Sequence, residues 1–206
     1  MSGNLLIIFI KNSIKGKVKT RLAADLGEDV ALKIYKKLMD RTLRSSAPVR
    51  TDIYLLFSDY VDLPASIPGR RVTSGLQSGQ DLGERMLNAF IDGFKGGYRH
   101  ICLLGTDCYE ISSAIIGEAF EKLTGHDFVL GPSNDGGYYL IGMNSLLEQV
   151  FINKPWSTST VLEKTLHDII ENSCSYELLP ELVDVDTRAD LELLNINLKT
   201  FLKDEK

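Results

Sequence analysis

The chain has 206 residues, 44% of them hydrophobic and 25% charged, which suits one globular domain over 1–206 and excludes low-complexity and collagenous chains. A net charge of -5 excludes a broad electrostatic footprint on nucleic acid, which needs clustered excess Lys and Arg. Three cysteines without CxxC spacing, Cys102, Cys108 and Cys174, exclude a disulfide framework and a cysteine-type zinc site, and point to a reducing, cytoplasmic compartment.

In chain order, the apolar run 5–10 is far too short to cross a bilayer and lacks a signal peptide's basic start, so it predicts a buried strand and no membrane insertion. Residues 11–21, Lys-Asn-Ser-Ile-Lys-Gly-Lys-Val-Lys-Thr-Arg, follow directly. Lys11, Lys15, Lys17, Lys19 and Arg21 stand there with no acid among them, at a strand's carboxyl end, where open α/β sheets carry their ligand loops. Gly16 lets backbone approach a ligand, Lys19 offers a point charge to phosphate, and Arg21 offers a bidentate fork. Both cations are expected on a solvated loop. The spacing is not that of a Walker A loop, and the competing reading is a plain basic loop.

A helix is predicted over 27–45, with Val30, Ala31, Ile34, Leu38 and Thr42 on one stripe and Pro48 closing it. A strand follows at 53–57, and 64–79 reads as an irregular loop. Residues 79–85, Gly-Gln-Asp-Leu-Gly-Glu-Arg, open a helix over 82–94. Asp81 is its expected cap, and Glu84 and Arg85 form either a surface pair or part of a site.

The strand 101–104 leads into Gly105-Thr106-Asp107-Cys108, placing Asp107 just past a buried strand end. A carboxylate there can reach a hard divalent cation, Mg²⁺ or Mn²⁺, or can cap the helix predicted over 112–123. Between strands 128–130 and 138–143 lies Gly-Pro-Ser-Asn-Asp-Gly-Gly-Tyr, the densest turn signal of the chain. Asp135 and Tyr138 could bind a sugar, ribose or acceptor hydroxyl beside it. Trp156 is either a core anchor or a stacking surface, and Ser157 or Thr158 is expected to cap a helix over 158–171. Residues 184–186, Asp-Val-Asp, read as a short strand before a helix over 187–201. Asp184 and Asp186 share a face, so one of them could join Asp107 at a metal. Strands alternating with helices predict an α/β fold with a largely parallel sheet covered on both faces. No heptad seam fixes an oligomeric state.

Taken in order, Lys-x₄-Gly-x-Val-Lys-Thr-Arg-Leu, Gly-x-Asp-Leu-Gly-Glu-Arg, Gly-Thr-Asp-Cys, Gly-Pro-x-x-Asp-Gly-Gly-Tyr, Trp-Ser-Thr and Asp-Val-Asp-Thr resemble an uncharacterised bacterial family, the radical-SAM/selenodomain-associated transferases. That family is related to phospholactate guanylyltransferase and the molybdenum-cofactor nucleotidyltransferases. Ser13 and Tyr109 depart from it, standing where its members often have proline. The resemblance implies a three-layer α/β/α nucleotide-diphosphate-sugar transferase fold of glycosyltransferase-A type, with a mostly parallel mixed sheet. It implies phosphate binding by Lys11, Gly16, Lys19, Thr20, Arg21, Gly83 and Arg85, and metal binding by Asp107 and Asp186. Asp135, Gly136, Gly137, Tyr138 and Trp156 would line the acceptor or sugar pocket, with Asp107 and Asp135 catalytic. The implied activity is metal-dependent transfer from a nucleotide-sugar donor to a small-molecule acceptor; the alternative is nucleotidyl transfer from a nucleoside triphosphate with release of pyrophosphate.

Overall fold

Apolar runs bounded by glycine, proline and polar turns give the strands of the computed structural model, which describes residues 3–62, 67 and 72–203. Strands β1 (Asn4–Ile10), β2 (Asp52–Phe57), β4 (His100–Leu104), β5 (Phe128–Pro132) and β6 (Tyr138–Met143) fall where the sequence predicts them. Two more were not expected. β3 (Val72–Leu76) occupies part of the predicted irregular loop, whose residues 64–66 and 68–71 lie outside the described residues, and β7 (Tyr176–Leu178) has three residues. Both are edge strands, short and partly exposed, so they lack the buried apolar run that marks the central ones.

Among the described residues the sheet has seven strands in the order β3-β2-β1-β4-β6-β5-β7, with β6 antiparallel to both its neighbours and the other pairings parallel. The strands' period of two sorts their side chains. Leu6, Ile8, Ile10, Leu55 and Leu104 pack with one set of helices, while Leu5, Ile7, Leu103 and Ile141 pack with the other. On the first face lie α2 (Glu28–Ser46) and α4 (Ser113–Lys122); on the second lie α3 (Leu82–Lys95) and α5 (Val161–Glu171). This is the expected three-layer fold with a mostly parallel mixed sheet. No helix among the described residues is long and apolar enough to cross a membrane.

Several helix boundaries differ from expectation. A short helix, α1 (Thr20–Leu26), precedes α2, and Gly27, the predicted start of one helix, is instead the break between the two. Its φ of 84° needs glycine, and its N–H donates to the Ala23 carbonyl. The α2 stripe Ala31, Ile34, Leu38 and Thr42 is buried as predicted, Val30 only partly, and Tyr35 joins it. Neither Ser157 nor Thr158 caps α5: Ser157 has φ 65°, Thr158 donates back to the Pro155 carbonyl, and the helix begins at Val161. The helix expected over 187–201 is two, α6 (Arg188–Leu193) and α7 (Leu198–Phe201), separated by the left-handed Asn195. Thr187 and Asp190 form a capping box on α6.

Close approach at the β5–β6 pair generates a stability prediction. A Cβ on Gly131 would lie 2.3–2.7 Å from ring atoms of Tyr139, whose hydroxyl is tied to the Pro180 carbonyl at 3.0 Å. Gly131→Ala should therefore cost about 1–3 kcal/mol by overpacking. Gly125→Ala, whose Cβ meets nothing within 4 Å, should stay within about 0.5 kcal/mol of wild type. Urea melts of both variants check this; equal midpoints would show that the ring gives way freely.

Candidate active site

The carboxyl ends of β1, β2 and β4 carry the loops that the sequence marks as functional, and three buried polar groups tie them together. Asn12, 3% exposed, accepts at Oδ1 from the N–H groups of Asp59 and Tyr60 at 2.9 and 3.3 Å, and donates from Nδ2 to the Tyr60 carbonyl at 2.8 Å. It fixes the start of the basic loop to the residues after β2. Tyr35, from α2, donates to the Lys11 carbonyl at 2.6 Å and accepts from Thr106 at 3.4 Å, joining that loop to the one holding Asp107. Burial pushes its phenol up to about 12 and keeps it a donor. Neither residue stood out in the sequence, although Tyr35 falls on the α2 stripe at helical spacing.

Lys19 is the largest departure from expectation. Its side chain is only 5% exposed, not solvated, and its Nζ lies 2.6 Å from Asp107 Oδ1, whose side chain is 43% exposed. The backbone at Lys19 is left-handed, with φ 49°, an uncommon conformation for a residue with a side chain. That turn precedes α1 and directs the amine toward the β4 loop. Two residues on, Arg21 is exposed as predicted, and its Nη1 lies 3.1 Å from Asp186 Oδ2. Two of the anticipated phosphate cations, Lys19 and Arg21, are thus each paired with one anticipated metal carboxylate. Lys11 contributes its carbonyl and keeps an exposed side chain, and Thr20 is exposed at the first turn of α1. Gly16 has φ 78° in the turn between them, where a Cβ would also crowd Glu28 Oε1 at 3.1 Å.

Residues 182–186 do not form a strand; two isolated bridges, Cys108 with Asp184 and Ser133 with Leu182, hold them as a seam. The Val185 N–H donates to the Asp107 carbonyl at 3.0 Å, and the Asp184 N–H to Asn134 Oδ1 at 3.2 Å. Asp107 and Asp186 therefore stand at neighbouring backbone positions. Asp184, offered by the sequence only as an alternative, belongs to the same cluster. Burial, then the charges of Asp107 and Asp135, push its carboxyl up to about 6, opposed by the Cys108 thiol, which donates to it at 2.8 Å.

The remaining motifs meet on the far side of this seam. Asp135 Oδ1 accepts from the Ser133 hydroxyl at 2.5 Å and the Gly137 N–H at 2.9 Å, closing the turn between β5 and β6. Its side chain is exposed, and its charge is felt by Asp184. Gly136, with φ 85°, presses on the Ser159 backbone, where a Cβ would lie 2.1 Å from the carbonyl oxygen. Gly83 presses on Phe151 and Trp156, where a Cβ would lie 2.3 Å from the Phe151 carbonyl oxygen and 2.8 Å from Trp156 Nε1. Close packing explains both glycines without a ligand, and it explains the tryptophan as an anchor. Asp81 caps α3 as predicted. Arg85 and Glu84 do not pair with each other; Arg85 donates to the Gly79 carbonyl and Glu84 accepts from the Gln80 N–H, so both fasten their own loop. Tyr138 is half-buried, and its hydroxyl oxygen, the atom expected to meet an acceptor, is turned from solvent beside Thr165, where burial raises its pKa.

Asp107 and Asp186 are half-exposed hard oxygen donors, a set that suits Mg²⁺ or Mn²⁺ and not zinc. No group of three or more His, Cys, Asp or Glu able to hold a metal ion occurs among the described residues. A cation there would take the rest of its coordination from outside the protein, as Mg²⁺ commonly does from water and phosphate.

Residues 42–158 match the model of a family described as "Uncharacterized protein conserved in bacteria (DUF2064)". A crystal structure of a "putative nucleotide-diphospho-sugar transferase" from Desulfovibrio desulfuricans G20 is 32% identical, with a TM-score of 0.86 over 94% of this chain and 87% of that one. A cytidylyltransferase from Leptospira borgpetersenii serovar Hardjo-bovis shares the fold at 18% identity, TM-score 0.58, over 98% and 89% of the two chains. So does the inositol-1-phosphate CTP transferase from T. maritima, at 13% identity, TM-score 0.52, over 97% and 96%. No curated protein sequence matches the chain.

The buried amine predicts an energetic coupling. Lys19→Ala and Asp107→Asn should each cost about 1–3 kcal/mol, the lower end reflecting solvent at Asp107, because each leaves one partner of a part-buried pair unmatched. The double variant should cost less than the sum, by about 1 kcal/mol. Arg21→Ala, on the exposed pair, should stay within about 0.5 kcal/mol. Urea denaturation of the four variants reads these values, and strictly additive costs would contradict a direct Lys19–Asp107 interaction.

Proposed function

The chain belongs to the family of proteins conserved in bacteria that its model match and its 32% identical relative define, and from that premise we propose that it is a single-domain, metal-dependent transferase using a nucleotide-diphosphate sugar as donor. One observation carries the reading: two of the five cations of the strand-end loop, Lys19 and Arg21, are each paired with a carboxylate, Asp107 and Asp186, on neighbouring backbone. That arrangement juxtaposes what a diphosphate with its counter-ion requires, namely donors for phosphate oxygens and hard ligands for a cation. The resemblance of the motif order to the radical-SAM/selenodomain-associated transferases supports the same activity.

In the proposed reaction Lys19 and Arg21 bind the donor's phosphate oxygens, with the Gly16 turn admitting the backbone. Asp107 and Asp186 would hold a divalent cation, which would neutralise charge on the diphosphate. The bond between the sugar's anomeric carbon and the diphosphate oxygen breaks, and its electron pair leaves on that oxygen, where the two cationic side chains stabilise it. A new bond forms from the acceptor hydroxyl to the anomeric carbon. The hydroxyl proton passes to Asp135, whose Oδ1 is oriented by Ser133 and Gly137 while Oδ2 carries no such bond among the described residues. Gly136, Gly137 and Trp156 then shape the acceptor side by packing, and Gly83 and Arg85 serve the donor's phosphate side by fixing the 79–85 loop. Free cysteines at positions 102, 108 and 174 support a cytoplasmic location.

A second reading, nucleotidyl transfer from a nucleoside triphosphate to a phosphorylated acceptor, is supported by the fold shared with the cytidylyltransferase and the inositol-1-phosphate CTP transferase. The basic first loop suits either reading. Product analysis over a panel of nucleotide-sugars and nucleoside triphosphates, with Mg²⁺ or Mn²⁺, separates the two. Release of nucleoside diphosphate is expected, and release of pyrophosphate from a triphosphate would overturn the sugar-transfer reading. Arg21→Ala should weaken donor binding about tenfold while leaving the fold intact, because the loss is that of one charge-assisted contact.

A further inference from the structure

A second concentration of positive charge lies on the flank of α2 that faces α4 and α7, bordered by the far end of the loop after β4. There a groove of about 730 Å³ is lined by Lys36, Lys37, Arg41, Arg44 and Lys203 against one acid, Asp40, among the described residues. In a chain of net charge -5 such an excess is not the average surface, and like charges gathered round a concavity repel one another until an anion offsets them. The volume falls in the range of about 300–1,000 Å³ typical of small-molecule sites.

The cations are also held in place. Arg41 Nε donates to the Tyr109 carbonyl, and its guanidinium lies 4.5 Å from the centroid of the Tyr109 ring. Arg44 is fixed by Asp40 at 2.6 Å, and Lys37 donates to the Lys203 carbonyl at 2.7 Å. Arg41, bonded at Nε and stacked on the Tyr109 ring, has less rotamer freedom left to lose when an anion binds. Tyr109 and Phe201, edge to face at 5.6 Å, add an aromatic wall. Lys37, Arg41 and Arg44 recur at helical spacings of four and three, and the two arginines, one turn apart, are neighbours on the helix surface. Paired forks of that kind match adjacent phosphate groups better than a single one.

We propose that this groove is a second anion site, separate from the candidate active site, and that it takes a small molecule carrying a diphosphate or longer phosphate chain. Arg41 and Arg44 grip its phosphate oxygens and Lys36 supplies a further point charge.

The test is a titration of the full chain with inorganic pyrophosphate in the presence of a chelator, followed by amide NMR so that each site reports separately. Saturable shifts are expected at Ser112, Ser113 and Phe201, independently of any response in residues 16–21 and 105–109. Inorganic monophosphate should bind the groove at least about tenfold more weakly than pyrophosphate. In Lys36→Ala/Arg44→Ala, and separately in Arg41→Gln, the groove's dissociation constant should rise about tenfold with the first-loop response unchanged. The first variant leaves the Arg41–Tyr109 contact alone and so keeps its fold. Adenosine diphosphate titrated in parallel distinguishes the source: binding about tenfold tighter than pyrophosphate identifies a nucleotide, and equal binding a bare phosphate chain. Shifts that grow linearly without saturation, no shifts in the groove, or unchanged affinity in both variants would overturn the proposal.

Discussion

A lysine ammonium that is almost wholly withdrawn from solvent must keep a counter-charge, because an unpaired buried charge costs several kcal/mol. In this chain Lys19 meets that requirement through Asp107, and much of the candidate site follows from the pairing. To bring the amine inward the backbone adopts a left-handed turn just before α1, and that turn sets where Arg21 emerges. Asp107 is in turn held by its loop. Thr106 bonds to Tyr35, Tyr35 bonds to Lys11, and the Asp107 carbonyl accepts from Val185, which brings Asp186 within reach of Arg21. A chain of ordinary hydrogen bonds thus converts one buried charge into a fixed arrangement of two cations and two carboxylates.

The seam at residues 182–186 divides the site into two halves that differ in how they are built. On one side are charged groups with mutual partners, which a phosphate and a cation could exchange for themselves at modest net cost. On the other, Gly136 against Ser159 and Gly83 against the Phe151 carbonyl are close backbone contacts that fix shape and carry no charge. Such a division suits a reaction in which the donor supplies most of the charge and the acceptor is selected by fit. Asp184 sits between the halves, with its carboxyl pushed up to about 6 by burial and by the neighbouring Asp107 and Asp135 charges. The charges of Asp107 and Asp135 that Asp184 feels are offset in part by Lys19.

The layers and the central strands were legible in the sequence because each central strand is a run of apolar residues long enough to declare itself, as 5–10 and 138–143 do. β3 and β7 were not, since an edge strand buries too little to need such a run. Helix α1 was missed because it buries only Leu22. At the site, the position of Asp107 after a buried strand was readable. Its pairing with Lys19 was not, since a run of lysines signals solvent and nothing local announces an inward turn at one of them. Likewise the sequence could count Gly83 and Gly136 but could not show that neighbouring backbone already fills the space a Cβ would need. Tyr138 looked accessible beside a glycine turn; its first position in β6 instead places the hydroxyl beneath α5.

The central claim, that Asp107 and Asp186 share a cation with a donor whose phosphates replace them as partners of Lys19 and Arg21, is tested most directly by calorimetry. Titration of a nucleotide-sugar into the wild-type chain and into Asp107→Asn, each with and without Mn²⁺, measures the coupling between metal and donor. The account predicts that Mn²⁺ tightens donor binding by about tenfold or more in the wild type, and that this gain disappears in Asp107→Asn while circular dichroism shows the fold retained. Full metal-dependent affinity in the folded Asp107→Asn variant would contradict it.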